Sequence, residues 1–347
     1  MEAKKNVFVV LTEYQFLQAL NMAVVLYNKP EYNNLIYVVR DGSRLKGFCV
    51  TNELKINNTE VIVLDHWAPK KIVNRILDEN PNHFFFFQAI NAINIFLGHT
   101  LAKRGVEISL GPDGYGTYSK FKKKNWLLSF LRDTFKQNKF LIKNKLLANT
   151  ILPFDYYSFG NHKFINNLWI THPEQYEHRS KNKVNICKLP EFNQESIDFI
   201  KKCFDFKEQY PTEHVIYYFN QPFWSSLIDK EFVFLEDVVK QFPDKKIIIK
   251  LHPLTASEVV KKYKKIPNVE LIESTVPAEV LLLNLKKCIV FSGWSTVLIT
   301  ENKDCNYYFN YPIYKSLDDK ILSQIEIVAL NHIKFIHSPK EMKFPNG

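Results

Sequence analysis

The feature that most constrains this chain is a repeated pattern, in which a short unbroken run of apolar residues is closed by a polar turn. In the first half it appears at Val7 to Leu11, Leu35-Ile36-Tyr37-Val38-Val39, Val61-Ile62-Val63-Leu64 and His83-Phe84-Phe85-Phe86-Phe87, with Val106-Glu107-Ile108-Ser109-Leu110 reading as the next strand. In the second half it returns at Val215-Ile216-Tyr217-Tyr218-Phe219, Lys246 to Leu251, Val269-Glu270-Leu271-Ile272 and Cys288-Ile289-Val290-Phe291. Continuous rather than alternating hydrophobicity suits strands covered on both faces, hence parallel sheets with helices packed around them. Apolar residues at helical spacing separate the runs, as at Phe16, Leu17, Leu20, Ala23 and Val24, or Val259, Val260 and Tyr263. The pattern predicts an α/β fold of two Rossmann-like domains facing across a cleft.

Length supports two domains, because 347 residues exceed the roughly 250–300 at which single cores stop growing. The expected division is 1–190 and 191–347, with the stretch from Leu317 free to cross back to the first domain. The composition, 46% hydrophobic and 24% charged, belongs to a globular chain rather than a disordered one. A net charge of +10 predicts acidic partners, such as nucleotides, polyanions or an anionic membrane surface. Nucleic acid is a poor candidate, since no recognisable binding module accompanies the charge. Cys49, Cys187, Cys203, Cys288 and Cys305 are far apart and form no CxxC pair, which predicts reduced thiols in a cytoplasmic protein. Met1 to Lys5 is charged and leads into the run Asn6 to Leu11, which is too short and too soon followed by Glu13 to be a signal peptide. No stretch approaches the ~20 apolar residues of a membrane span, so any membrane contact is expected to be peripheral.

Candidate functional residues fall where the runs end, because open α/β sheets bind ligands outside the carboxyl ends of their strands. After the first run comes Thr12-Glu13-Tyr14-Gln15; Thr12 either simply caps the next helix or, with Gln15, lines the cleft. Val106 to Leu110 leads into Gly111-Pro112-Asp113-Gly114-Tyr115-Gly116, which sets the Asp113 carboxylate at a strand tip with Gly114 giving the backbone freedom to turn. Ile247-Ile248-Ile249-Lys250-Leu251-His252-Pro253 reads as a buried strand stopping at a histidine, since Pro253 cannot donate to a ladder. Lys120 to Asn149 carries a net charge of +8, with Trp126, Leu127, Phe130, Leu131 and Phe135 on one helical face. That apolar side is expected to pack on the core, with function left only to Lys122-Lys123-Lys124.

The second half collects Gln221, His252, Glu279, Ser292, Ser295 and Thr296 at strand ends. Hydroxyls and unpaired amides at the start of a helix expected from Val297 suit a phosphate. His252 can donate to the same phosphate or protonate it as it leaves, and Glu279 can accept from ribose hydroxyls. No dinucleotide fingerprint, Walker loop or DxD-like metal motif is present, so neither cofactor nor metal is expected.

These motifs, in this order along nearly the whole chain, resemble the bacterial GT-B sialyltransferases, including the capsule polysialyltransferase and lipooligosaccharide sialyltransferase families. Asp113-Gly114 resembles the acidic-residue-glycine motif of those families and His252-Pro253 their His-Pro motif. Ser295-Thr296 is similar to their Ser/Thr pair, and Pro277 with Glu279 to their ribose-binding segment. Many family members carry two acidic residues before the glycine, whereas Pro112 precedes Asp113 here. The resemblance implies a GT-B architecture and inverting, metal-independent transfer of sialic acid, or a related nonulosonic acid, from a CMP-sugar to a glycan hydroxyl. Asp113 would be the general base, His252 and Ser295-Thr296 would stabilise the leaving phosphate, Glu279 would hold the ribose and Gln221 would lie near the nucleotide. The alternatives are a Kdo transferase, a glycerophosphate polymerase, or a non-catalytic glycan-binding or capsule-assembly protein on the same scaffold.

Overall fold

The structure, a computed structural model, describes residues 3–40, 48–50, 53–65, 68–118, 120–121, 126–147, 151–154, 159–177, 182–207, 209–222, 225–274, 276–315 and 325–345. The chain divides into two compact units, Met1–Asp113 with Lys123–Asp205 and Gly114–Lys122 with Phe206–Gly347. Each is a mixed α/β unit around its own parallel sheet.

The strands of the first unit are β1 (Lys4–Val10), β2 (Tyr32–Arg40), β3 (Glu53–Ile56), β4 (Thr59–Asp65), β5 (His83–Phe86) and β6 (Glu107–Leu110). After β7 (Lys120–Phe121), which belongs to the second unit, come β8 (Asn167–Ile170) and β9 (Asn185–Lys188). The sheet order is β3-β4-β2-β1-β5-β6-β8-β9, and every neighbouring pair is parallel except β3 with β4. The apolar runs predicted as strands are the buried centre, with Val7 to Val10, Leu35 to Val39 and Phe84 to Phe86 all covered. The edge strands β3 and β9, and β8 between β6 and β9, are not revealed by the pattern in the sequence. Around the sheet lie α1 (Glu13–Leu26), α2 (Pro69–Asp78), α3 (Ala92–Ala102), α4 (Trp126–Lys143) and α5 (Gln194–Cys203). Helix α1 is buried from Tyr14 through Val24, Gln15, Gln18 and Asn21 included.

Helix α4 departs from expectation. Leu127, Leu131 and Phe135 are 58%, 53% and 71% exposed, and Leu128 and Ile142 are exposed with them, so these members of the predicted face do not pack on the core, whereas Phe130 is half-buried and lines a cavity with Ile95, His99 and Leu152. The inward face is the one bearing Asn138 and Leu141, both buried. Asn138 donates to Leu152 O (2.7 Å) and accepts from Leu152 N (2.9 Å), so a polar side chain fastens the helix. Arg132, Lys136, Lys139 and Lys143 follow one another at spacings of about one turn, next to the exposed apolar stripe. Lys122-Lys123-Lys124 lies outside the described residues.

The second unit contains β10 (Ile216–Phe219), α6 (Ser225–Gln241), β11 (Ile247–Lys250), α7 (Ser257–Tyr263), β12 (Val269–Ile272), α8 (Ala278–Leu282), β13 (Cys288–Ser292), β14 (Cys305–Phe309), α9 (Pro312–Lys315), β15 (Ile325–Glu326) and β16 (Ile333–Phe335). Its sheet runs β12-β11-β10-β13-β14-β16, all parallel, while β15 pairs antiparallel with β7. Ile247, Ile248 and Ile249 are fully buried, each worth roughly 1.5–3 kcal/mol of hydrophobic stabilisation. The helix expected from Val297 is a single 3-10 turn, Thr296–Ile299. The β-branched Val297, Ile299 and Thr300 disfavour helix, and β14 at Cys305 leaves too little chain for one to cross the sheet.

Both strand orders reverse direction once. Successive strands run outward from β1 through β2 to β4 and then resume on the other side at β5; in the second sheet the break falls between β10 and β13. Ligands of open α/β sheets bind outside the carboxyl ends of the strands at such points. No helix among the described residues is long and apolar enough to cross a membrane.

Candidate active site

At the switch point of the first sheet, three strand ends supply one cluster. Thr12 follows β1 and caps α1, its hydroxyl accepting from Gln15 N (3.3 Å). Gln15, fully buried, turns back over the strand end, with Oε1 accepting from Leu11 N (2.8 Å) and Nε2 donating to Asp113 Oδ1 (2.5 Å). A backbone N–H can only donate, so it fixes which way the amide faces and leaves the NH2 for the carboxylate. Gln88, just beyond β5, donates from Nε2 to Asp113 Oδ2 (3.3 Å). Asp113 itself, just beyond β6, is exposed, so two amides orient its carboxylate while leaving it open to solvent. Gln88 was absent from the sequence-derived set, although it too follows a strand end, two residues past β5.

Gly114, the first residue assigned to the second unit, begins a 3-10 turn, Gly114–Thr117, which packs on the turn Thr296–Ile299. Its φ is +81°, and a Cβ there would lie 2.9 Å from both Thr296 Oγ1 and Cγ2. Only glycine meets both demands. Ser295 caps the second turn by accepting from Val297 N (3.4 Å). Ser292, wholly buried, donates its hydroxyl to Phe219 O (2.7 Å) and accepts from Ser295 N (3.3 Å). It therefore ties β13 to β10 and shapes the loop. Gln221 does the same from the other side, its Oε1 accepting from Trp294 N (2.8 Å); the two residues bridge the switch point between β10 and β13. Glu279 is buried on α8, whose N-cap is Pro277 and which packs against the same 3-10 turn.

His252 lies one strand away, at the end of β11. Its Nδ1 accepts from Leu254 N (3.1 Å), so in the neutral ring the proton sits on Nε2. Burial, and then the nearby Lys250 ammonium, lower the His252 pKa below its usual value, so at neutral pH the ring is an uncharged hydrogen-bond donor. Lys250 is buried and donates to Ser274 O (2.7 Å) and Leu251 O (3.2 Å). Pro253 is exposed and closes the strand. Beneath this turn Asn220 Oδ1 accepts from His252 N (3.3 Å) and Thr255 Oγ1 (2.5 Å). Neither Asn220 nor Glu231 below it figured among the residues singled out from sequence; Glu231 sits in the apolar-rich stretch of α6, where a lone carboxylate reads as a surface position.

The first unit thus offers an oriented carboxylate, and the second an imidazole of fixed tautomer with hydroxyl-bearing turns and a buried glutamate. The alpha-2,8-polysialyltransferase (POLYST) family matches residues 8–309. No curated protein matches the sequence. Among solved structures, the GT-B domain of a sialyltransferase from Photobacterium damselae is 13% identical, with 92% of this chain and 94% of that chain covered and a TM-score of 0.49. A 2,6-sialyltransferase from Photobacterium sp. JT-ISH-224, in ternary complex with CMP and lactose, is 12% identical, over 88% and 71% of the two chains at a TM-score of 0.47. A UDP-N-acetylglucosamine 2-epimerase described as such from Listeria monocytogenes is 12% identical, over 85% and 75% at a TM-score of 0.49. Because the family match spans most of both units and takes in Asp113, His252, Glu279, Ser295 and Thr296, the chain belongs to the alpha-2,8-polysialyltransferase family and is a sialyl-transferring glycosyltransferase.

Proposed function

We propose that the protein transfers sialic acid from CMP-sialic acid to a hydroxyl of a glycan acceptor, in one inverting displacement that uses no metal, during capsule or lipooligosaccharide synthesis. The observation that carries the reading is the Asp113 carboxylate, held by Gln15 and Gln88 at the switch point of its sheet. In the proposed step the acceptor oxygen bonds to the anomeric carbon as Asp113 takes its proton, and the bond from that carbon to the CMP phosphate breaks. The phosphate leaves with the electron pair. Nε2–H of His252 and the Ser295 and Thr296 hydroxyls meet the developing charge, the task a metal performs elsewhere, while Glu279 accepts from the ribose and Gln221 borders the nucleotide. The neutral, tautomer-fixed ring supports His252 as a hydrogen-bond donor rather than as an acid.

The test is release of CMP. Asp113→Ala is expected to lower turnover about 10²–10⁴-fold, the usual contribution of a general base, while CMP affinity stays within about twofold of wild type on the same principle. A CMP affinity that falls as far as turnover would sink the division of labour. CMP-Kdo and CDP-glycerol are expected to give no release.

We also propose that the enzyme works at the cytoplasmic face of an anionic membrane through α4. The exposed Leu128, Leu131, Phe135 and Ile142 beside Arg132, Lys136, Lys139 and Lys143 have the chemistry of an interfacial helix. Leu131→Glu with Phe135→Glu is expected to abolish sedimentation with phosphatidylglycerol vesicles and leave CMP release in solution unchanged; undiminished sedimentation refutes the role of α4.

A further inference from the structure

Asn220 is buried at the end of β10, where its backbone N–H donates to Lys250 O (3.1 Å) and so joins it to the end of β11. Its side chain faces two environments. Oδ1 takes the His252 N–H and the Thr255 hydroxyl. Nδ2 lies against Tyr263 OH (2.8 Å), Glu231 Oε1 (3.2 Å) and Gln221 O (3.0 Å). Glu231, 1% exposed on α6, accepts in turn from Tyr263 OH (2.6 Å) and from Tyr218 OH. The amide has one workable orientation, because a flip would set its NH2 against the His252 N–H and its oxygen against Glu231.

The turn above depends on this amide. Pro253 contributes no N–H, Leu254 is 75% exposed, and the Leu254 N–H is spent on His252 Nδ1. Thr255 N closes the turn on His252 O (2.9 Å), but that bond is internal and does not anchor it to the sheet.

We propose that Asn220 is the positioning residue of the donor-phosphate site: buried Glu231 and Tyr263 set its amide, and the amide sets the His252–Thr255 turn that presents Nε2 of His252 to the leaving phosphate. The assignment rests on His252 meeting the CMP phosphate, as proposed above. Asn220 acts only through His252 and touches no substrate.

The experiment is calorimetric titration of the full-length protein with CMP, for wild type, His252→Ala, Asn220→Ala, the double variant, and Thr255→Val. Wild type is expected to bind with one site. His252→Ala and Asn220→Ala are each expected to weaken binding on the order of tenfold, the scale of one lost hydrogen bond to a charged group. The double variant is expected to be no worse than either single variant, because one residue acts through the other. Partial unfolding would lower the stoichiometry and leave the dissociation constant of the folded fraction alone, so the constant is the readout. Should Asn220→Ala fail to fold, Thr255→Val removes only the upper contact and is expected to weaken binding a few-fold. Unchanged affinity in Asn220→Ala or, failing its folding, in Thr255→Val, with His252→Ala weakened, overturns the positioning role alone; so do additive losses in the double variant. Unchanged affinity in His252→Ala overturns the phosphate reading and the inference with it.

Discussion

The switch points of the two sheets solve opposite problems. In the first, the carboxylate proposed as the base is exposed and two amides orient it. Asp113 faces solvent, Gln15 is buried, and the chain from Asp113 to the backbone of Leu11 is only two hydrogen bonds long. In the second, polar groups run downward into the unit. His252 rests on Asn220, Asn220 on Glu231 and Tyr263, and Glu231 also takes Tyr218. As the base proposed above, Asp113 would meet an acceptor that arrives from solvent, for which a short rigid mount suffices. The phosphate proposed for the second site would be met by several donors in fixed directions, and fixing them takes a network whose members are all satisfied. The second arrangement carries a cost the first avoids, a carboxylate buried to 1% exposure.

That cost gives the largest expected effect. Burial, opposed by the hydrogen bonds from Tyr218, Tyr263 and Asn220, raises the pKa of Glu231 from 4.5 to about 7. The folded state therefore holds a proton the unfolded chain gives up, and the stability it contributes is present below pH 4.5 and lost as pH rises through about 7. The loss amounts to about 3 kcal/mol at roughly 1.4 kcal/mol per unit. Buried His83, lowered from 6.5 to about 4, titrates with the opposite sign, which masks the effect in the wild type at acid pH. The difference between wild type and Glu231→Gln isolates it: denaturant titrations from pH 5 to 8 should show wild type losing stability relative to the variant. Parallel curves would mean that the network carries no such cost and that the contrast between the sheets is overstated.

Gly114→Ala comes next. Forcing φ +81° on an alanine and a Cβ into Thr296 is expected to cost about 2 kcal/mol of stability, read by urea unfolding; an unchanged midpoint would show that the Thr296 turn yields freely. The mount of Asp113 gives the smallest effects and sharpens the contrast most directly. Gln15→Ala is expected to lower turnover about tenfold and Gln88→Ala a few-fold, following the 2.5 Å and 3.3 Å bonds and the greater worth of a shorter bond to a charged group. Both should leave CMP affinity unchanged, and a loss of CMP affinity in Gln15→Ala would dissolve the separation.

Legibility in the sequence followed the same divide. The runs at Val7, Leu35, His83, Val215, Ile247 and Cys288 became central strands, because only residues buried on both faces can be apolar without interruption. The edge strands β3 and β9 escaped, since one neighbour and one wet side leave no such signature; β8, which has a neighbour on each side, escaped as well. In α4 the periodicity of Leu127, Leu131 and Phe135 was correct and the conclusion drawn from it was not. Helical spacing identifies a face and says nothing of whether anything covers it; Asn138 and Leu141 took the inward side instead.

The amino-acid sequence by itself determined the parallel α/β class, the strand ends, and which chemistry-bearing residues stand at them: Asp113, Gln221, His252, Ser295 and Thr296. These follow from local composition, because a strand's burial and its closing turn are written in adjacent residues. Only the tertiary structure decided who holds whom. Asn220 follows β10 and His252 follows β11, and they meet because the two strands are neighbours in the sheet; Gln15 and Gln88 flank Asp113 because β1, β5 and β6 are. Strand order is set by packing across the whole unit, so a residue's partner is a non-local quantity even where the residue itself is plain.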